Sequence, residues 1–112
     1  MRFEAALVRS FLAVSSLFLG CGGDPVVQAC RDVVDALADK AEACGGDREA
    51  YEAAFEQSLR DTYGVGCDGV DAVRDLDGLY GLCFPRLEGQ SCGDFVAGDY
   101  PLACREQLLF DP

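Results

Sequence analysis

Hydrophobic residues along the chain fall into stretches of different period. From Phe11 to Leu19 they form an almost unbroken run, interrupted by Ser15 and Ser16. From Val26 onward they recur on one side of a helix, at Val26, Val27, Cys30, Val33, Val34, Leu37, Ala41 and Cys44. Asp32, Asp35, Asp39 and Glu42 stay mostly off that stripe. Tyr51, Phe55, Leu59 and Tyr63 then stand at steps of four, with Glu49, Glu52, Glu56, Arg60 and Asp61 on the other side. Leu76, Leu79, Tyr80, Cys83, Phe84 and Leu87 mark a third apolar face. No segment alternates with period two over a useful length, so the pattern predicts helices and no sheet.

Capping and breaking residues set the ends. Asp24-Pro25 opens a first helix over residues 25–44, since Asp caps and Pro suits the first helical position; Gly45-Gly46 stops it. Asp47 caps a second helix that Gly64 and Gly66 end, and so short a glycine link predicts an antiparallel hairpin. Cys67 to Arg74 reads as loop. Asp75 caps a third helix, which Gly78, Gly81 and Pro85 weaken, so a bend or a helix end is expected near Pro85. Ser91-Cys92-Gly93-Asp94 starts a short turn of helix through Ala97, and Asp99-Tyr100-Pro101 another through about Leu109. The predicted fold class is all-α: a small disulfide-stapled domain of an antiparallel helical hairpin, a bent third helix packed across it, and a short C-terminal helical turn. The column Tyr51, Phe55 and Tyr63 is expected in its core.

The apolar run near the start is too short to cross a bilayer, which takes about 20 residues. It follows Arg2 and Arg9 and fits the h-region of a secretory signal peptide. Its end, Phe18-Leu19-Gly20-Cys21, resembles the lipobox of bacterial lipoproteins. That resemblance implies a diacylglyceryl group on the Cys21 thiol and cleavage that makes Cys21 the new N-terminus, with one further acyl chain. The expected organisation is a signal peptide over 1–20, a lipidated Cys and short tether over 21–24, and the stapled helical domain over 25–112. Gly22, not Asp, follows Cys21, so the enteric inner-membrane retention signal is missing. The outer membrane is the expected site; secretion without a lipid is the alternative.

Cysteine parity agrees with this reading. Seven Cys are present, an odd number that lipidation of Cys21 makes even. Cys30, Cys44, Cys67, Cys83, Cys92 and Cys104 remain, with no C-x-x-C pair for a metal, and an exported chain holds such a set as three disulfides. Six Cys allow about 15 pairings. In an antiparallel hairpin Cys30 lies beside Cys67; Cys44 is then left for Cys83, and Cys92 and Cys104 close the last loop. The main rival exchanges Cys83 and Cys92.

Charge narrows the function further. Asp and Glu number 20 against 9 Lys and Arg, a formal net charge of −11. Such a surface repels phosphate, so no nucleic-acid partner is expected. The chain has no His, which removes the usual general base and the commonest zinc ligand. Asp75-Leu76-Asp77-Gly78 opens like a calcium loop, but Leu79 and Arg86 occupy positions that need oxygen ligands. A loose calcium site near Asp68, Asp71, Asp75 and Asp77 is the weaker reading, and helix capping the stronger. Ser58, Ser91, Thr62 and Lys40 have no His partner, and the Gly pairs lack the Lys or Ser/Thr of a phosphate loop. The expectation is no catalytic residue, no metal, no cofactor and no enzyme activity.

The C-terminal third carries a broader likeness. Cys83-Phe84-Pro85-Arg86-Leu87, Ser91-Cys92, and Pro101-Leu102-Ala103-Cys104 followed by Arg105-Glu106-Gln107-Leu108-Leu109 resemble small cysteine-rich lipoproteins of unknown function from myxobacteria. Val70 to Tyr80 looks similar too. The resemblance implies a cell-envelope address and no activity. The expected function is that of an envelope lipoprotein acting as an acidic binding or structural module, held to the membrane by its lipid, with a basic protein as partner. The alternative is a secreted small-ligand carrier or inhibitor with an apolar pocket lined by Tyr51, Phe55 and Tyr80.

Overall fold

A computed structural model describes residues 24–110. The expected signal peptide over 1–20, the expected lipidation site Cys21 and the expected tether residues up to Gly23 lie outside the described residues.

Helix α1 spans Pro25–Ala43. The Asp24 carboxylate accepts a 2.9 Å hydrogen bond from the Val26 amide, which satisfies one of the donors a helix start leaves open. At the other end the Gly46 amide reaches back to the Ala41 carbonyl at 2.8 Å and the Gly45 amide to Glu42 at 3.0 Å. This Schellman turn needs Gly45 at φ +98°, a conformation costly for any residue with a Cβ. Helix α2, Arg48–Tyr63, starts on Asp47, whose carboxylate accepts from the Glu49 amide, and ends on Gly64 at φ +83°. The two form the antiparallel hairpin the sequence predicts.

The third helix is continuous from Leu76 to Gly89 but changes its winding. It comprises α3, Leu76–Gly78, a π-helical turn at Leu79–Cys83, and α4, Phe84–Gly89. Pro85 has no amide to donate, and in an α-helix its ring would press on the carbonyl four residues back. The wider turn just before it, closed by the Phe84 amide on the Leu79 carbonyl, lets the helix run through the proline rather than stop there. Gly78 has a different reason: a Cβ there would lie 2.3 Å from the Asp75 carboxylate that caps this helix. Helix α5, Cys92–Val96, is capped by Ser91, and a 3₁₀ turn follows at Leu102–Cys104.

A sheet is present, against expectation, although it is minimal. Strand β1, Ala72–Val73, pairs antiparallel with β2, Leu108–Leu109, with Ala72 opposite Leu109 and Val73 opposite Leu108. Two-residue strands are too short to show a period, which hides them from pattern reading. The Asp71 and Arg74 amides extend the pairing to the Leu109 and Gln107 carbonyls. Buried Gln107 secures it, accepting from the Asp75 amide at 2.9 Å and donating to the Ala103 carbonyl at 2.8 Å. The turn expected to continue helically to about Leu109 therefore ends at Cys104 and becomes strand.

Helix α1 is the spine. Its Cys30 and Val34 pack with Cys67 and Val70; its Ala29 packs with Leu79 and Cys83; its Ala41 packs with Leu87 and Phe95. The last two groups show that the third helix runs alongside α1 in the same direction, so the helices go up, down and up. Helix α2 has no fully buried residue. Phe55 and Leu59 lean half-buried on the first cluster, but Tyr51 and Tyr63 are 38% and 49% exposed. The expected aromatic core column is thus split, with Tyr63 stacked on Phe110 at 4.2 Å between centroids.

The disulfides are Cys30–Cys67, Cys44–Cys92 and Cys83–Cys104. Expected pairs Cys44–Cys83 and Cys92–Cys104 are corrected; the rival set is the one present. Cys83 lies beside Ala29, near the start of α1, whereas Cys44 follows its end. At 1.5 Å of rise per residue those levels are about 20 Å apart, and a disulfide needs Cα atoms within about 7 Å. Cys44 instead meets Cys92 at the start of α5, with Cα atoms 5.5 Å apart.

Candidate functional site

Two grooves run along α1, one on each side of an acidic ridge. The first, of about 390 Å³, lies between α1 and the third helix. Its floor is Ala36, Phe84 and Leu87, and its rim carries Asp32, Asp35, Asp39 and Glu88. The second lies between α1 and α2 and is lined mostly by charge: Arg31, Asp32, Asp35, Glu49, Glu52, Glu56 and Arg60. Asp32 and Asp35 line both. The ridge arises because Asp32, Asp35 and Asp39 repeat at helical spacing on the side of α1 that its apolar stripe leaves free.

All but one of the cations among the described residues are already occupied. Arg48 donates from Nε to Asp39 at 2.7 Å, from Nη1 to Glu52 at 3.2 Å, and from Nη2 to Asp35. These hydrogen bonds to Asp39 and Asp35 raise the Arg48 pKa further and tie the start of α2 to the ridge. Arg31 pairs with Asp68 at 2.6 Å, Arg105 with Asp99 at 2.7 Å, Arg60 with Glu56 at 3.6 Å, and Arg74 with Glu106 at 4.0 Å. Lys40, the one lysine of the chain, turns its ammonium onto the Glu88 carbonyl at 3.0 Å and onto the Gln90 carbonyl. It thereby completes the C-terminal end of α4, where free carbonyls favour a cation. Of the cations among the described residues, Arg86 alone makes no ion pair or side-chain hydrogen bond.

Tyr80 stands at the mouth of the first groove. Its hydroxyl donates to Asp32 and its ring meets Phe84 edge-on at 5.2 Å. Partial burial first, and the Asp32 carboxylate second, push its phenol up to about 12. Tyr100 is also raised, by burial and then by Tyr51.

The other sequence-predicted positions are dispersed. Tyr51 and Phe55 meet on α2 with centroids 6.0 Å apart and line neither groove, while Tyr80 belongs to the first, so these three do not line one pocket. Asp68 is paired with Arg31, Asp75 caps α3, and no three His, Cys, Asp or Glu among the described residues stand close enough to hold a metal ion. Ser91 caps α5. No described carboxylate is fully buried. No helix among the described residues is long and apolar enough to cross a membrane.

The groove itself escaped sequence reading. Asp32, Asp35 and Asp39 read as a solvated face, and only the docking of the third helix supplies the apolar floor. The available signal was the spacing of those aspartates beside the single lysine. Compared with known proteins, the chain matches no family model, no curated protein and no solved structure.

Proposed function

We propose that this chain is a cell-envelope lipoprotein, anchored through Cys21, whose stapled helical domain is an acidic binding module for a cationic protein. The observation that carries the binding half is the state of the charges. Six of the seven cations that follow Cys21 are held by the domain's own carboxylates or carbonyls, while most of the acidic side chains stay solvent-exposed. What approaches the domain therefore meets mainly carboxylates, which attract a basic surface and repel an acidic one. The lipobox-like Phe18-Leu19-Gly20-Cys21, the three disulfides and the likeness to small myxobacterial lipoproteins support the envelope address. The two acyl chains of a diacylglyceryl group already exceed the marginal hold of a single chain.

The test joins the two halves. Wild type and Cys21→Ala are expressed in a lipoprotein-processing bacterium, partitioned in detergent, and titrated with polylysine and polyglutamate. Wild type follows the detergent phase and Cys21→Ala the aqueous phase, and both bind polylysine in a salt-sensitive way. Wild type in the aqueous phase contradicts the anchor; equal binding of both polymers contradicts the acidic module.

A further inference from the structure

The groove between α1 and the third helix combines features that the rest of the acidic surface does not. It has a hydrocarbon floor, made by Ala36, Phe84 and Leu87, and it is rimmed by carboxylates on both walls, Asp32 and Asp39 on α1 and Glu88 on α4. Its one cation, Lys40, is withdrawn onto backbone carbonyls. Tyr80 at its mouth is 43% exposed and held by its hydroxyl on Asp32. An aromatic ring beside a carboxylate suits an alkyl-ammonium or guanidinium group, which gains from the ring face and the charge together. The Asp35–Asp39 edge already holds one guanidinium through its carboxylates, that of Arg48.

We infer that this groove is the docking site for a cationic amphipathic helix of the partner protein. This rests on the reading of the domain as an acidic module and names the place and the ligand chemistry. Aliphatic side chains of the incoming helix lie on Ala36, Phe84 and Leu87, and flanking Lys or Arg residues meet Asp32, Asp39 and Glu88, the mode in which an apolar helix face lies in a groove. At about 390 Å³ the space takes a few side chains from one helix face. A second copy of this chain is a poor occupant, because it would bring carboxylates against carboxylates. Tyr80 ranks the cations: the guanidinium stacks on an aromatic ring better than the ammonium does.

Two synthetic peptides serve as probes: an amphipathic Lys/Leu helix and a Lys/Gly peptide of the same charge without an apolar face. They are titrated by calorimetry into the full chain at low and moderate salt. The variants are Ala43→Trp, which fills the groove from an exposed position and leaves the charge unchanged, Glu88→Gln on the rim, and Asp61→Asn, the same charge change on α2 away from both grooves. Far-UV circular dichroism and intact non-reduced mass confirm that each is folded and fully bridged. The Lys/Leu helix is expected to bind more tightly than Lys/Gly, with about tenfold loss in Ala43→Trp, a smaller loss in Glu88→Gln and no change in Asp61→Asn. Equal binding of the two peptides, or wild-type affinity in folded Ala43→Trp, overturns the groove and leaves the acidic module standing. Binding of neither peptide at low salt overturns both. A lipid or detergent molecule in the groove by native mass spectrometry, displaced by neither peptide, also overturns it.

Discussion

Helices α1 and α2 are neighbours of similar length and similar acidity, yet they are held in different ways. Helix α1 buries Ala29, Cys30, Val34, Ala38 and Ala41 and contributes to all three core clusters. Helix α2 buries no residue fully and relies on Phe55 and Leu59, on the Arg48 pairs at its start, and on the Cys30–Cys67 bond just past its end. The difference shows how a small chain can keep a long acidic surface. One helix is surrounded and fixed, and the other is stapled at its ends, so its flanks stay free for charge. Amphipathic spacing alone did not separate the two, because both carry a one-sided stripe; what separates them is which stripe finds partners on both sides.

Core truncation gives the largest expected contrast. Leu79 is 0% exposed between Ala29 and Cys83, and Leu79→Ala is expected to cost about 3 kcal/mol or more in urea unfolding. Leu59→Ala on α2, half-buried, is expected to cost about half as much. Equal losses would mean that α2 is as much a part of the core as the third helix.

The disulfides sharpen the same contrast. Replacing Cys30 and Cys67 together by Ser removes the staple on which α2 depends, and a bond of this kind is worth about 2–5 kcal/mol. Its sulfurs are buried, as is Cys83, whereas Cys92 is exposed and Cys44 half-exposed. Limited treatment with a dithiol followed by alkylation should therefore label Cys44 and Cys92 first, by peptide mapping. Earlier labelling of Cys30 or Cys67 would show that the α2 end opens more readily than the α5 end.

Most of the fold was legible because its signals are local. Asp24, Asp47, Asp75 and Ser91 each cap the helix their position announces, and Gly45 and Gly64 end helices in the left-handed region. The failures were non-local. Ala29 and Ala38 are fully buried, but their side chains are too small to stand out in a hydrophobic stripe. The β1–β2 clasp joins residues far apart in sequence. The pairing of Cys44 with Cys92 rather than Cys83 depends on the level at which the third helix docks on α1, which no spacing along the chain records. The groove shares that cause, since its acidic rim is written in α1 and its floor arrives from Phe84 and Leu87.

Two smaller effects remain. Arg48→Ala should release the start of α2 from Asp35 and Asp39, with a stability loss that shrinks in high salt because exposed ion pairs are screened. A loss unchanged by salt would point to packing of the Arg48 stem instead. In alkaline spectrophotometric titration Tyr80 should ionise near pH 12, and Tyr80→Phe should remove that component. The sign follows from a folded-state pKa raised above the unfolded value of about 10. The stabilisation is intact below pH 10 and is lost as pH rises toward 12. A Tyr80 that titrates near pH 10 would mean that its ring is solvated and its Asp32 bond open in solution.

Native-state amide hydrogen exchange tests the spine-and-arm arrangement most directly, because it reads each helix separately. The slowest amides should lie in α1 from Ala29 to Ala41 and in the third helix from Leu79 to Leu87, exchanging with the free energy of global unfolding. Amides in the middle of α2, around Phe55 and Leu59, should open at least about 1 kcal/mol more easily. Protection in α2 equal to that in α1 would contradict the arrangement.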